Sequence, residues 1–123
     1  MRARQHRRVL IVDDNLEYVR SMAKLLRERG HQVDFAINAT AALPAAVRFC
    51  PDIVFLDAGL PDGNGLLLAR RLRREAGLDA ARIVCVTGRA NVDRSQALEA
   101  GCDDHFVKPL DPVLIESLLT PDR

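Results

Sequence analysis

Three carboxylates, a hydroxyl and an ammonium group each follow directly after a short apolar stretch of this sequence. Asp13 and Asp14 follow VLIV, Asp57 follows IVFL, Thr87 follows IVCV and Lys108 follows HFV. At an effective dielectric constant near 20, two like charges 4 Å apart cost about 4 kcal/mol, so clustered acids need raised pKa values or a cation. An all-oxygen cluster with retained waters suits Mg²⁺ better than Ca²⁺.

Such a group of residues could handle phosphoryl groups. A carboxylate such as Asp57 can attack phosphorus and form an aspartyl phosphate, while a metal ion neutralises the charge that develops. Lys108 and the Thr87 hydroxyl would then donate hydrogen bonds to the phosphoryl oxygens. This chemistry requires a fold that brings the ends of the apolar stretches together.

Four β-rich stretches and a weaker fifth alternate with helical patterns, which predicts parallel strands joined by helical crossovers. The first, third and fourth stretches are apolar throughout, as strands covered on both faces must be, whereas the second and fifth suit sheet edges. We expect an α/β, doubly wound (βα)5 flavodoxin-like sandwich with strand order 2-1-3-4-5 and a ligand site at the carboxyl ends of the central strands. The predicted strands are Val9–Val12, Val33–Ala36, Ile53–Leu56, Ile83–Val86 and His105–Val107.

Apolar residues at three- and four-residue steps predict the helices between these strands. Pro44 falls within residues 38–49, and a proline inside a helix costs about 3 kcal/mol, so we expect that helix to start or kink near Pro44. The predicted helix boundaries are Asn64, Asn91 and Asp111 as N-caps, Pro112 as a first-turn residue, and Gly30 and Gly101 as stop signals.

Length and composition limit the class of protein. The 123 residues, nearly half of them apolar, suit one domain, which we place at residues 8–120 after a basic, solvated arm at residues 1–7 that ends with Arg7. The net charge of +1 argues against a nucleic-acid-binding surface. No apolar stretch approaches the roughly 20 residues of a membrane span. Three cysteines without CxxC spacing predict neither a disulfide framework nor a zinc site, and a cytoplasmic location is expected.

The segments VLIVDDN, PDIVFLDAGLPDGNG, VTG and DDHFVKPL together resemble the receiver domain of two-component response regulators, over nearly the whole chain. The resemblance implies that Asp57 is the phosphoacceptor and also binds Mg²⁺. It implies that Asp14 is a direct metal ligand, that Asp13 acts through a water, and that the backbone carbonyl of Gly59 is the third protein ligand.

The same resemblance makes Lys108 the phosphate-binding lysine and Thr87 the switch hydroxyl. His105 falls where the family has the aromatic or histidine side chain that rotates on activation. Tyr18 is expected to be a residue of the first helix with no chemical role. The sequence departs from the family pattern at two positions of the loop after the phosphoacceptor, where Gly63 and Asn64 replace the usual methionine and aspartate. Gly59 and Arg89 occupy positions that, in this family, tune the lifetime of the phosphorylated aspartate. The sequence does not predict whether that lifetime is long or short.

The implied function is a signalling switch. The domain would take a phosphoryl group from the phosphohistidine of a histidine kinase or histidine phosphotransfer protein and hydrolyse its acyl phosphate slowly, so it is not a conventional enzyme. Phosphorylation would change the surface of the fourth helix, fifth strand and fifth helix, where a downstream partner binds. Direct contact with nucleic acid or membrane is not expected. The stretch LDAGLPDGNGLLLARRLR is more similar to receivers of hybrid histidine kinases than to those of DNA-binding regulators.

Three other functions are compatible with parts of the pattern. A degenerate receiver would act only as a docking module, although the intact acids and lysine argue against this. A phosphatase with an aspartate nucleophile needs a second aspartate two residues later, where this chain has Gly59. A nucleotide or flavin binder needs a glycine- or hydroxyl-rich cradle after the first strand, where Asp13 and Asp14 would repel phosphate.

Overall fold

The computed structural model describes residues 6–60, 65–88 and 93–120. Its strands form one parallel sheet in the order β2-β1-β3-β4-β5, so the predicted order and both predicted edge strands are confirmed. The strands are β1 Arg8–Val12, β2 Gln32–Ala36, β3 Ile53–Asp57, β4 Arg82–Thr87 and β5 Asp104–Val107. The helices are α1 Leu16–Glu28, α2 Ala39–Phe49, α3 Gly65–Glu75, α4 Arg94–Glu99 and α5 Pro112–Leu119.

The sheet is covered on both faces, which explains the uninterrupted apolar sequence of its central strands. Alternate side chains of β1, β3 and β4, such as Leu10, pack in one apolar cluster with α2, α3 and α4. The intervening side chains, such as Phe55, pack in a second cluster with α1 and α5. Because all residues of β3 are buried, its terminal Asp57 is carried into the protein with them. Within the described residues, every helix is too short or too polar to cross a bilayer.

Local signals set most helix ends. Gly30 and Gly101 have φ values of 92° and 103°, a left-handed backbone that glycine adopts without strain, and each follows a helix as predicted. Asp111 caps α5 by accepting a hydrogen bond from the Val113 backbone N–H, and Pro112 is the first residue of that helix. Thus the predicted stop signals and the predicted cap of the last helix are confirmed.

Two helix predictions need correction. Helix α4 is capped by Asp93, whose carboxylate accepts from the Gln96 N–H, and not by Asn91, which lies outside the described residues together with Asn64. Helix α2 is unbroken from Ala39, so the predicted start at Pro44 is wrong. Pro44 lies on the exposed side of this helix, where solvent can reach the backbone around the missing N–H, while neighbouring alanines stay packed. A kink at Pro44 stays a prediction.

The start of the chain is held more firmly than a solvated arm would be. The Arg7 backbone N–H donates to Nδ1 of His31 at 3.0 Å, and the Arg7 Nε donates to the Leu119 carbonyl at 3.0 Å. Arg8 is the first residue of β1, and its guanidinium donates to the Phe49 carbonyl. Arg7 therefore contacts the rest of the domain, while the division of the chain at residue 8 stays a prediction and residues 1–5 lie outside the described residues.

Arg73 of α3 ties the amino end of the sheet together. Its guanidinium donates to four backbone carbonyls and to the Asp103 carboxylate, the last at 2.9 Å. Asp103 in turn accepts from the Ile83 N–H at the start of β4. These bonds fix the turns that precede β4 and β5, at the end of the sheet opposite the predicted site. The four carbonyls belong to Leu78, Asp79, Ala81 and Gly101.

Candidate phosphoryl-transfer site

The carboxyl ends of the central strands meet at an open pocket of about 600 Å³. The parallel register places Val12 of β1 beside Leu56 of β3, so the residues that follow both strands emerge at one edge. The register of β4 with β5 likewise brings Thr87 level with Val107, immediately before Lys108. The residues lining the pocket are Asp14, Asn15, Asp57, Gly59, Thr87, Gly88 and Lys108.

Three acidic side chains converge at this edge, as the sequence predicts. Asp13, Asp14 and Asp57 each offer one carboxylate oxygen, and these oxygens all lie within 4.8 Å of one another. Asp13 and Asp57 are only 2% and 8% exposed, whereas Asp14 is exposed. Two oxygens on opposite sides of a Mg²⁺ ion lie about 4.2 Å apart, so this set is close to the spacing that a small hard cation requires.

Asp13 is held by contacts on both of its oxygens. Its Oδ1 accepts from the Asn15 backbone N–H at 3.0 Å, and its Oδ2 lies 2.5 Å from the Lys108 Nζ. Burial raises the pKa of the Asp13 carboxyl above its usual value, and the nearby Asp57 charge adds to this rise. The Lys108 and Asn15 contacts act in the opposite direction and lower the pKa, without cancelling the effect of burial.

Asp57 has one oxygen fixed locally and one facing the ammonium group. Its Oδ1 accepts from the Gly59 N–H at 2.8 Å, and its Oδ2 lies 3.6 Å from the Lys108 Nζ. Oδ2 is therefore the oxygen that can be offered to an incoming electrophile while the turn at Gly59 holds the other. A side chain at position 59 would place its Cβ 3.4 Å from Asp57 Oδ1, so glycine keeps this side of the carboxylate open.

A close helix–strand approach holds Asp57 in place. Gly65, the first residue of α3, packs so tightly on the turn after β3 that a Cβ there would lie 2.5 Å from the Ala58 Cα and 2.8 Å from the Asp57 carbonyl oxygen. The Gly65 N–H also donates to the Ala58 carbonyl at 3.3 Å. Only glycine allows this contact without a backbone shift.

Lys108 and Thr87 complete the pocket from β4 and β5. The Lys108 backbone N–H donates to the Thr87 carbonyl at 2.9 Å, which keeps the end of β5 beside β4. Thr87 is 2% exposed and lines the pocket. The structure therefore brings together the six predicted residues of the phosphoryl site, Asp13, Asp14, Asp57, Gly59, Thr87 and Lys108.

The predicted switch residue His105 is not among the residues lining the pocket. On β5, His105 pairs in register with Cys85 of β4. Its Nε2 is buried without a hydrogen-bond partner among the described residues. Its neighbour Phe106 packs on the α1 and α5 side, so His105 points to the opposite face of the sheet. Gly63, Asn64 and Arg89 lie outside the described residues.

Sequence reasoning missed two residues at this site. Asn15 lines the pocket, and its side chain caps α1 by accepting from the Tyr18 N–H at 3.1 Å. The Lys108 Nζ lies over the Tyr18 ring, 4.7 Å from its centroid. Burial, together with the charges of Asp13 and Asp57, raises the pKa of Tyr18 to about 12, so its hydroxyl stays neutral. The available signal was the position of Tyr18 one helical turn after Asp14.

Comparisons with known proteins agree with this geometry. The family model described as the response regulator receiver domain matches residues 9–120. The transcriptional regulatory protein KdpE of Mycobacterium tuberculosis is 39% identical over 102 residues, which cover 82% of this chain and 44% of KdpE. The chain thus spans less than half the length of this curated relative.

Two solved structures are similar over nearly the whole chain. A CheY-like response regulator receiver domain from Methylobacillus flagellatus has a TM-score of 0.83 and 32% identity, covering 94% of this chain and 97% of its own. The receiver domain of the sensor histidine kinase PA1611 from Pseudomonas aeruginosa has a TM-score of 0.81 and 25% identity, covering 94% and 95%. That structure carries a magnesium ion coordinated in its active-site cleft.

Proposed function

Because this chain belongs to the response regulator receiver domain family, we propose that it accepts a phosphoryl group on Asp57 from a phosphohistidine and changes its surface in response. The observation that carries the proposal is the position of Asp57 Oδ2. This oxygen lies 3.6 Å from the Lys108 ammonium in a pocket that Asp14 also lines. Asp13, Asp14 and Asp57 each offer a carboxylate oxygen within 4.8 Å of the others.

Receiver domains bind Mg²⁺ at such an acidic pocket, and the all-oxygen donor set here fits that ion. In this chain Asp14 and Asp57 would bind it directly, with the Gly59 backbone carbonyl, and Asp13 would bind through a water. When bound, Mg²⁺ supplies positive charge that neutralises the oxygens of the transferring phosphoryl group.

The chain's own residues supply the nucleophile and the hydrogen-bond donors. Asp57 Oδ2 forms the new oxygen–phosphorus bond as the nitrogen–phosphorus bond of the donor phosphohistidine breaks. The donor ring carries a proton on its other nitrogen, so it leaves as neutral imidazole. The Lys108 ammonium and the Thr87 hydroxyl donate to the phosphoryl oxygens. Later attack of water on phosphorus releases inorganic phosphate and restores the Asp57 carboxylate, so the domain catalyses its own slow dephosphorylation.

Receiver domains interact with histidine kinases or phosphotransfer proteins, and we further propose where the downstream partner binds. The face formed by α4, β5 and α5 exposes three large apolar side chains, Leu98, Val107 and Val113, of which Val113 is 76% exposed. A phosphoryl group on Asp57 would draw the Thr87 hydroxyl toward it, and His105 on β5 would move with it. We place the domain in the cytoplasm, where such donors occur.

The domain could belong to either of two kinds of larger protein. The loop sequence LDAGLPDGNG favours a hybrid histidine kinase, whereas the 39% identity to a transcriptional regulatory protein favours an output domain that acts on transcription. The docking-module alternative is not favoured because the acids and the lysine lie together. An aspartate-nucleophile phosphatase is weaker still, since Gly59 leaves the position of its general acid without a carboxyl group.

Phosphoramidate, a small donor with a nitrogen–phosphorus bond, tests the proposal directly. Wild-type protein in Mg²⁺ should gain one phosphoryl mass by intact mass spectrometry, and Asp57→Asn should gain none. Asp79→Asn is the matched control, because Asp79 is an exposed acid at the opposite end of the sheet and should not affect the reaction. Equal labelling of wild type and Asp57→Asn would contradict the assignment of Asp57 as the acceptor.

A further inference from the structure

Tyr18 occupies a place at the site that the proposed chemistry does not use. The cap of α1 fixes its backbone, because Asn15 Oδ1 accepts from the Tyr18 N–H at 3.1 Å while the Asn15 N–H donates to Asp13 Oδ1 at 3.0 Å. The same short segment therefore positions Asp13 and the Tyr18 ring. This ring lies below Lys108, whose Nζ is 4.7 Å from the ring centroid, within the range of about 6 Å for cation–π contacts.

The Lys108 ammonium thus has a neighbour on three sides. Asp13 Oδ2 lies at 2.5 Å, Asp57 Oδ2 lies at 3.6 Å, and the Tyr18 ring covers a further side. The side chain of Lys108 is 22% exposed, so little of it meets solvent. The ring face attracts the ammonium without an acceptor oxygen, so it does not replace the phosphoryl oxygens as a hydrogen-bond acceptor.

The Tyr18 ring contacts Lys108 at this site, whereas its hydroxyl donates no hydrogen bond to any described residue. The Tyr18 Oη is buried without a hydrogen-bond partner in the part of the chain that the structure describes. Tyr18 also packs at the border of the apolar cluster formed with α1 and α5, which is a purely structural role that any test must separate. Phenylalanine retains the ring and its packing, whereas leucine retains apolar packing and loses the π face.

We propose that Tyr18 is a positioning residue whose ring holds the Lys108 ammonium between Asp13 and Asp57, ready to donate to a phosphoryl group on Asp57. The inference rests on the proposed function of Asp57 for its kinetic consequence. Its geometric content, a Lys108 side chain lying over an aromatic ring, does not depend on that function.

The kinetic test measures the rate of phosphorylation by phosphoramidate in saturating Mg²⁺. Tyr18→Phe should react within about twofold of wild type, and Tyr18→Leu should react about three- to tenfold more slowly, the factor that loss of a cation–π contact corresponds to. In a Lys108→Ala background, Tyr18→Leu should have no further effect. A structural role would instead give an equal loss with or without Lys108, and that result would overturn the proposal.

A second measurement decides the geometry without any phosphorylation. In the wild-type NMR spectrum the ring current of Tyr18 should shift the Lys108 Hε resonances, and Lys108→Ala identifies these signals by their loss. Tyr18→Phe should retain the shift and Tyr18→Leu should remove it. Unshifted Hε resonances in the wild type would overturn the proposal even if Asp57 is phosphorylated normally. A shifted resonance in a protein that takes no phosphoryl group would locate the failure in the proposed function.

Discussion

Gly65→Ala tests how tightly the turn that carries Asp57 is built. The added methyl group would lie 2.5 Å from the Ala58 Cα, 2.8 Å from the Asp57 carbonyl oxygen and 2.9 Å from the Ala58 carbonyl carbon. All three atoms belong to the backbone of a strand end and its turn, so no side-chain rotation can relieve the contact. The start of α3 must move away from β3, or the turn must shift.

Overpacking of this kind costs about 1–3 kcal/mol, and the backbone origin of the clash places Gly65→Ala near the upper end. Alanine recovers at most about 1 kcal/mol through its higher helix propensity, and less at the first position of a helix. We expect a net loss of about 2 kcal/mol in the free energy of unfolding. For a domain of this size the melting temperature should fall by about 6–10 °C.

Urea unfolding followed by circular dichroism measures this loss. Gly88→Ala is the matched control, because among the described residues its Cβ would meet only the Lys108 Cδ at 4.0 Å, an ordinary contact. The control should stay within about 0.5 kcal/mol of wild type. Equal stability of Gly65→Ala and Gly88→Ala would refute the reasoning, since it would show that α3 does not press on the Asp57 turn as the structure has it.

Three further predictions concern charge, a hydrogen-bond network and thiol exposure. Burial raises the pKa of the Asp13 carboxyl, so folding favours its protonated form, and its contribution to stability is present at low pH and lost as pH rises through the folded-state pKa. Urea titrations in metal-free buffer should therefore show the unfolding free energy of wild type falling relative to that of Asp13→Asn as pH rises; a rising difference would contradict the assignment. Arg73→Ala should lose about 2–4 kcal/mol because it leaves backbone carbonyls without their donor, whereas Arg71→Ala, which removes an exposed ion pair with Glu75, should lose far less; equal losses in urea would count against the network. Iodoacetamide should alkylate exposed Cys50 rapidly in the native protein and spare the two buried cysteines until urea unfolds it, and rapid native labelling of all three thiols would contradict the burial.

The fold could be predicted in detail because local sequence and global topology agree. The strands that are apolar throughout had to be covered on both faces, and this fixed β1, β3 and β4 as central before any pairing was known. Once the order was set, the carboxylates at the strand ends had to meet. Asp57 and the pair Asp13 and Asp14 therefore followed from strand boundaries alone.

The remaining features depend on contacts that strand boundaries do not specify. Sequence could bring Lys108 to the pocket, but its closer approach to Asp13 than to Asp57 depends on side-chain packing at the end of β5. Tyr18 looked like an ordinary residue of an amphipathic helix, because its partner Lys108 lies far along the chain, just after β5. The alternation of side chains on β5 places His105 outside the pocket, and its switch role stays a prediction.

Some local predictions failed because two signals competed. Asn91 and Asp93 can both cap a helix, and Asp93 prevails because Gln96 completes a reciprocal pair of hydrogen bonds with it. Pro44 argued for a break in α2, but the packing of Ala42, Ala45 and Ala46 against the sheet outweighs one lost hydrogen bond on an exposed face. A local pair of side-chain hydrogen bonds settled the first case, and tertiary packing settled the second.

Reductive trapping with borohydride tests the central claim most directly, because it reports which side chain carries the acyl phosphate. Wild-type protein treated with phosphoramidate and Mg²⁺ and then reduced should yield homoserine at position 57 by peptide sequencing in the mass spectrometer. Omission of Mg²⁺ should remove most of this product. Homoserine at Asp13 or Asp14 instead, or at no position in protein that has taken up phosphate, would contradict the assignment of Asp57 as the acceptor.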